Sequence, residues 1–423
     1  MNKIDKFNEE VVKRIKDSRV HLLDVKRAKD VIDVFDKPTL LHAGPDIKWE
    51  NMPDPMKGSC IGALLFEKIA KTEEEAIEML SNGKINFVNC HSQSFVGPMG
   101  GITSANMAVF EVVNKLSGEK AYCNLNEGIG KVLRFGAYSN EVIERLEWLR
   151  DVLGPALSRA LKQFEDGLEI NSIIAKAITM GDEFHQRNIA ASMIFFKEIA
   201  PYISNQDIDE KDKEDIMLFL AKTDQFFLNI AMAFCKAVMD YARKYEEGSI
   251  VTTLSRNGYE FGIKVSGLGD KWYKAKVNTP KGLFFTGYSQ DDACPDMGDS
   301  AITETYGIGG MTMIAAPGVT RFVGTGGFND AYKTSEEMQE ICFDNNTNYS
   351  IPTWDFKGTP TGIDIRKVVE TGITPVINTG IAHKKAGIGQ IGAGTVRVPI
   401  ECFEEALRDL HKKYSVDNND ETL

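Results

Sequence analysis

The stretch MGDEFHQRN, residues 180–188, puts a carboxylate, an imidazole, a guanidinium and an amide between two apolar runs of helical spacing. Asp182 and His185 are three residues apart. If a helix opens here, the two share a face, and Asp182 can fix the tautomer of His185 and raise its basicity. That would suit proton transfer near neutral pH. Arg187 and Asn188 add anion and amide binding. The plainer alternative is a helix start with Asp182 as its N-cap and His185 as a hydrogen-bonded neighbour.

Other segments repeat this mixture around glycines. CHSQSFVGPMGG (90–101) places His91 at a strand end, before a loop whose N–H groups can face a phosphate or carboxylate. Cys90 reads as core, because neighbouring strand residues point to opposite faces and cannot form a nucleophile–base pair. NLNEGIGKVLRFG (124–136) brings Asn126, Glu127, Lys131 and Arg134. TTLSRNGYEFG carries Arg256 and Asn257, whose Asn-Gly step signals a hairpin before it signals a site. DDACPDMGDSAITET holds Asp291, Asp292, Asp296, Asp299 and Glu304 without the alternation of a calcium loop. It reads as an acidic turn capping a helix, with Asp299 and Ser300 the better functional candidates. TPTGIDIRK and INTGIAHKKAG contribute Thr361, Asp364, Asn378, Thr379, His383 and Lys384. Sites for small polar anions are built this way: hydroxyls and backbone donors for oxygens, Lys or Arg for charge, Asn or Asp for an amide N–H₂.

No cofactor or metal is expected. GIGQIGAG contains a formal G-x-G-x-x-G at Gly387, Gly389 and Gly392, but AHKKA precedes it and the strand-like TVRVPI follows. A dinucleotide fingerprint needs a strand before and a helix after, so this run reads as a turn letting backbone approach a ligand or another strand.

The elements that must position these groups follow from periodicity. Residues 1–138 alternate helical and strand patterns and form an N-terminal α/β domain, with Thr72 capping a helix. Residues 139–247 are almost continuously helical in spacing, divided by the acidic, solvated run 203–215. Residues 248–423 open with short β-rich runs expected to meander as an antiparallel sheet. Helical stretches near 300–316 and 334–343 follow, and the C-terminal α+β domain ends in a frayed polar tail. The fold class is therefore multidomain α/β (α+β), two α/β portions with a central all-α domain, and its main polar cleft at their junction.

A length of 423 residues accommodates this division. A net charge of −12 argues against nucleic acid and anionic membranes as partners. Seven scattered cysteines without a C-x-x-C pair fit a reducing cytoplasm, and no apolar run reaches membrane-spanning length.

The segments NLNEGIGKVLRFGAY, AITMGDEFHQRNIAAS, SRNGYEFGIKVSGLGDKWY, DMGDSAITETYGIGG, FKGTPTGIDIRKVVETGITPVINTGIAHK and GIGQIGAG resemble the YlbE/YahG-type bacterial family. That family includes the AllG-type subunit of oxamate carbamoyltransferase. The resemblance runs from about residue 40 to 405. It implies a carbamoyltransferase subunit that works with an FdrA-like and a third subunit in anaerobic purine or allantoin breakdown, with a homo-oligomer also open. Oxalurate and phosphate would give oxamate and carbamoyl phosphate. On that reading His185, oriented by Asp182, is the acid/base. Arg256 and Lys384 are anion ligands, and Asn257, Asn378 and Thr379 are amide or oxyanion contacts. A noncatalytic assembly subunit and a metal-dependent amidohydrolase using Asp182, His185 and the acidic cluster are the competing expectations.

Overall fold

A computed structural model describes residues 3–420. The first α/β portion is organised on a five-stranded sheet ordered Phe95–Val96, Lys120–Asn124, Ala108–Asn114, Val20–Arg27, Leu168–Glu169. Val20–Arg27 runs antiparallel to Ala108–Asn114 from Val20 opposite Asn114 to Arg27 opposite Ala108. INFVNC becomes a short strand, Asn86–Asn89, parallel to Thr39–His42; Asn86 is exposed, so it is less buried than its apolar letters suggest. The helix Glu73–Ser81 is capped by Thr72, whose side chain accepts from Glu75 N–H.

The helical section runs from Asn140 to Arg243. Its last helix, Phe227–Arg243, is buried on nearly every side, and its polar residues Asn229, Lys236 and Asp240 are enclosed with the apolar ones. It packs across the five-stranded sheet and against the short helix Ile302–Tyr306 of the second α/β portion. The larger core accordingly joins Phe110, Phe226, Phe227 and Tyr306, while a second core of Val251, Phe261, Ile377 and Phe403 lies under the C-terminal sheets. Among the described residues no single helix is long and apolar enough to cross a membrane.

In the C-terminal section Val251–Asn257, Glu260–Val265 and Tyr273–Lys276 meander as expected. Lys281–Phe284 leaves that sheet to pair with Gln390–Arg397, which also pairs with Val376–Ala382. Here the run GIGQIGAG finds its use. A Cβ on Gly392 or Gly394 would stand 2.3 Å from the carbonyl of Leu283 or Lys281, so glycine permits this strand contact. The stretch expected as helix over 300–316 is broken into Ile302–Tyr306 and tight 3₁₀ turns at 309–315, and Phe328–Glu340 precedes a strand starting at Cys342. The last helix, Ile400–Asp420, extends into the tail expected to fray; residues 421–423 lie outside the described residues.

Candidate active site

Residues 180–188 form a loop between the helices Ile170–Thr179 and Ile189–Ser204, so the shared helical face expected for Asp182 and His185 does not exist. The loop folds around Glu183. One carboxylate oxygen accepts from the N–H groups of His185 (2.9 Å), Gln186 and Arg187 (2.7 Å), and the other accepts from Asn378 Nδ2 (2.9 Å). Phe184 is held at φ +75°, a conformation that costs a non-glycine residue about 1–3 kcal/mol and persists only when its surroundings enforce it. Its fully buried ring against Phe227 and the Glu183 bonds do so. Burial pushes the Glu183 carboxyl above its ordinary range despite these donors and the nearby imidazole.

Asp182 caps the next helix: its Oδ2 accepts from Ala191 N–H at 2.8 Å, and Arg187 Nε lies 3.5 Å from Oδ1. The imidazole of His185 turns instead to Glu304, with Nδ1 at 2.7 and 2.9 Å from its two carboxylate oxygens. Glu304 is fixed in turn by Gly310 N–H (2.8 Å), Asn378 N–H (3.2 Å) and Thr303 Oγ1 (2.9 Å). Nδ1 therefore donates to Glu304, which leaves the lone pair of the neutral ring on Nε2.

His185 lines a cleft of about 270 Å³ whose wall is drawn from all three sections: Met99, Arg134 and Phe135; His185, Gln186 and Gln225; Phe285, Ser300, Phe322 and Gln390. The arrangement offers an acid/base nitrogen, amide groups, a hydroxyl and one guanidinium in a partly apolar hollow.

Arg134 is the cation of this wall. Its terminal nitrogens donate to Asn126 Oδ1 (2.6 Å) and Gly128 O (2.5 Å), and the Glu127 carboxylate accepts from the backbone of Leu133 and Arg134. Burial lowers the Arg134 pKa, opposed by the charge of Glu127. Asn126 and Glu127 thus stand behind the wall, holding its cation. Asn188 stands behind Gln225, donating to Oε1 at 2.8 Å, and Asn378 behind the Glu183–Glu304 pair.

Beneath Ser300 lies a closed ionic network. Arg256, fully buried, spends its guanidinium on Asp296 Oδ2 (2.6 Å), Gly298 O (2.7 Å), Ser300 Oγ (3.2 Å) and Thr379 Oγ1 (3.3 Å), and Thr379 donates to Asp296. Arg256 and Thr379 therefore act as floor beneath Ser300, and neither reaches the cleft wall as the expected anion and oxyanion contacts would. Asp299 accepts from Gly44 N–H, Gly97 N–H (both 3.0 Å) and Ser255 Oγ. His91 Nε2 approaches it at 3.1 Å, with neither ring nitrogen in hydrogen-bond alignment, and His91 does not line the cleft. Burial raises the Asp299 pKa, but His91, Ser255 and Gly44 outweigh it and hold the carboxyl below its ordinary value.

The remaining candidates are dispersed. Asn257 closes its hairpin, accepting from Tyr259 and Glu260 N–H, and donates to Pro45 O. Thr361 donates to Thr359 O within a strand, and Asp364 caps a helix with Arg366, Ser249 and Asn8 around it. His383 accepts from Lys385 N–H, Lys384 Nζ donates to Asp291 O, and Arg187 is partly exposed beside Asp182. The acidic cluster is likewise divided, since Asp296, Asp299 and Glu304 serve three different partners. Among the described residues no group of three or more His, Cys, Asp or Glu could hold a metal ion. Cys90 is buried and donates to Gly101 O.

Glu304 and Arg134, both read in the sequence but left out of its proposed site, prove central to the geometry, and Gln186, Gln225 and Gln390 carried no pattern to mark them.

The family described as oxamate carbamoyltransferase subunit AllG matches residues 85–300. The chain is 57% identical over 410 residues to the oxamate carbamoyltransferase subunit AllG of Escherichia coli (strain K12), covering 97% of this chain and 98% of that protein. It is 43% identical over 415 residues to the uncharacterised protein YahG of the same organism, covering 98% and 88%. The crystal structure of a conserved protein of unknown function from Enterococcus faecalis V583 matches with a TM-score of 0.94 at 44% identity, over 97% of this chain and 98% of that one.

Proposed function

Because the chain belongs to the family of oxamate carbamoyltransferase subunits AllG, we propose that it supplies the acid/base side of a carbamoyltransferase interconverting oxalurate plus phosphate with oxamate plus carbamoyl phosphate. It would act in the cytoplasm in anaerobic purine or allantoin catabolism, with an FdrA-like and a third subunit. The observation that carries this reading is the orientation of His185, with Nδ1 tied to Glu304 and the residue lining a cleft shared by all three sections.

In the direction of oxalurate breakdown, a phosphate oxygen attacks the carbamoyl carbon. The C–N bond to the oxamate portion then breaks, and the departing nitrogen must be protonated because an amide anion is a poor leaving group. Protonated His185 donates that proton from Nε2, while Glu304 stabilises the imidazolium. In the reverse direction neutral His185 takes the proton from the oxamate amide as its nitrogen attacks carbamoyl phosphate. No protein nucleophile is required, and none of the buried thiols is placed for one. Arg134 meets anionic oxygens, Ser300 presents a hydroxyl backed by Arg256, and Gln186, Gln225 and Gln390 suit the carbamoyl and oxamate amides. The amidohydrolase alternative would need Asp182 and the acidic cluster at His185, and those carboxylates are engaged elsewhere, apart from Glu304.

The test is to incubate oxalurate and phosphate with the purified chain and with the complex reconstituted from its partner subunits, following carbamoyl phosphate by phosphorus NMR. The reading expects product with the complex. An assembled complex that leaves both substrates unchanged refutes it.

A further inference from the structure

The mouth of the cleft is ringed by exposed apolar side chains. Ile129 (60% exposed), Phe285 (41%) and Phe322 (50%) line it. Leu283 (52%) extends the rim, since a Cβ on Gly324, two residues past Phe322, would meet its side chain at 3.0 Å. Single exposed apolar residues need no explanation, but here segments distant in sequence are brought to one opening, as at surfaces that another molecule covers.

The charge of the cleft points to what that molecule carries. The proposed reaction holds a phosphate and a carboxylate together, and Arg134 is the only Lys or Arg in the cleft wall among the described residues. Arg256 is closed off by Asp296 and its neighbours, and Lys384 is tied to Asp291. Two anions brought out of water beside a single guanidinium would be left undercompensated.

Resting on the carbamoyltransferase reading above, we propose that a partner subunit docks on the rim formed by Ile129, Leu283, Phe285 and Phe322. It inserts arginine or lysine side chains into the cleft over His185, so that the site is complete only at the subunit interface. The apolar collar excludes water around the reacting groups, and the inserted cations supply the charge this chain lacks.

All seven native cysteines are buried, so Phe322→Cys gives one accessible thiol for a water-soluble maleimide. Its labelling rate is measured in the isolated chain and in the reconstituted complex, with Leu116→Cys, in the exposed turn between the strands Ala108–Asn114 and Lys120–Asn124, as the control. Docking predicts rapid labelling of the isolated chain at every concentration and at least about tenfold slower labelling in the assembled complex, as for a residue in a water-excluded interface. The control should label equally in both. Phosphate and oxamate, titrated by calorimetry, should bind the complex at least about tenfold more tightly than the isolated chain. An assembled complex in which the Phe322→Cys thiol stays reactive overturns the docking alone. So does protection that grows with the concentration of the isolated chain, which would assign the rim to a second copy, and so does equal anion binding by chain and complex. An assembled wild-type complex that forms no carbamoyl phosphate overturns the carbamoyltransferase reading and removes the charge requirement with it.

Discussion

Glu304 stands 2.7 Å from His185 Nδ1 across 119 residues of sequence, joining the helical section to the second α/β portion at the cleft. A carboxylate accepting from Nδ1 puts the lone pair of the neutral ring on Nε2, in a residue that lines the cleft. An amide in its place can donate to Nδ1 and invert the tautomer.

Glu304→Gln should therefore lower kcat of the assembled complex by about 100-fold or more with the fold retained. Asp182→Ala should act on stability, costing about 1 kcal/mol through the helix start at Ala191, and should reduce kcat far less. Steady-state kinetics and urea unfolding of both variants check the contrast, and equal loss of kcat in the two would return Asp182 to the mechanism.

Gly309 is held at φ +65°, and a Cβ there would lie 2.3 Å from Glu304 Oε1 and 3.2 Å from His185 Cβ. Gly309→Ala should destabilise the chain by about 1–3 kcal/mol and lower turnover by displacing the carboxylate. Thermal unfolding and turnover equal to wild type would contradict this seating of Glu304.

Arg134→Lys keeps the charge but cannot reproduce a fork that bonds both Asn126 and Gly128. The KM of the complex for its anionic substrates should rise about tenfold or more, with a smaller change in kcat. An unchanged KM would remove Arg134 from substrate binding.

Much of the scaffold is legible from periodicity. The apolar faces of residues 140–243 and the strand runs after residue 250 announce their elements, and MGDEFHQRN marks the loop that carries His185. The pairing is not legible, because spacing within a segment speaks only for local structure. Asp182 is near His185 in sequence but goes to a helix N-terminus, while Glu304 is brought in by tertiary packing. Arg256 reads as an anion ligand in the sequence because its burial beside Asp296 and Thr379 depends on three separate stretches of chain.

Asp299 joins Gly44, Gly97 and Ser255 from three parts of the chain, and its stability contribution has a defined pH window. Its carboxyl is held below the ordinary value of 3.8, so the stabilisation is complete above that value and is lost as pH falls through the lower folded-state value. Asp299→Asn should cost about 3 kcal/mol near neutral pH, and the gap to wild type should narrow as pH drops below 3.8. Urea unfolding at a series of pH values measures both, and a gap independent of pH would contradict the ionic role.

The most direct measurement is turnover of oxalurate and phosphate by the assembled complex carrying His185→Gln. Nε2 of His185 is the acid/base nitrogen of this account, so carbamoyl phosphate formation should fall by about 100-fold or more, with subunit assembly and unfolding midpoint unchanged. An assembled His185→Gln complex turning over near the wild-type rate would contradict it.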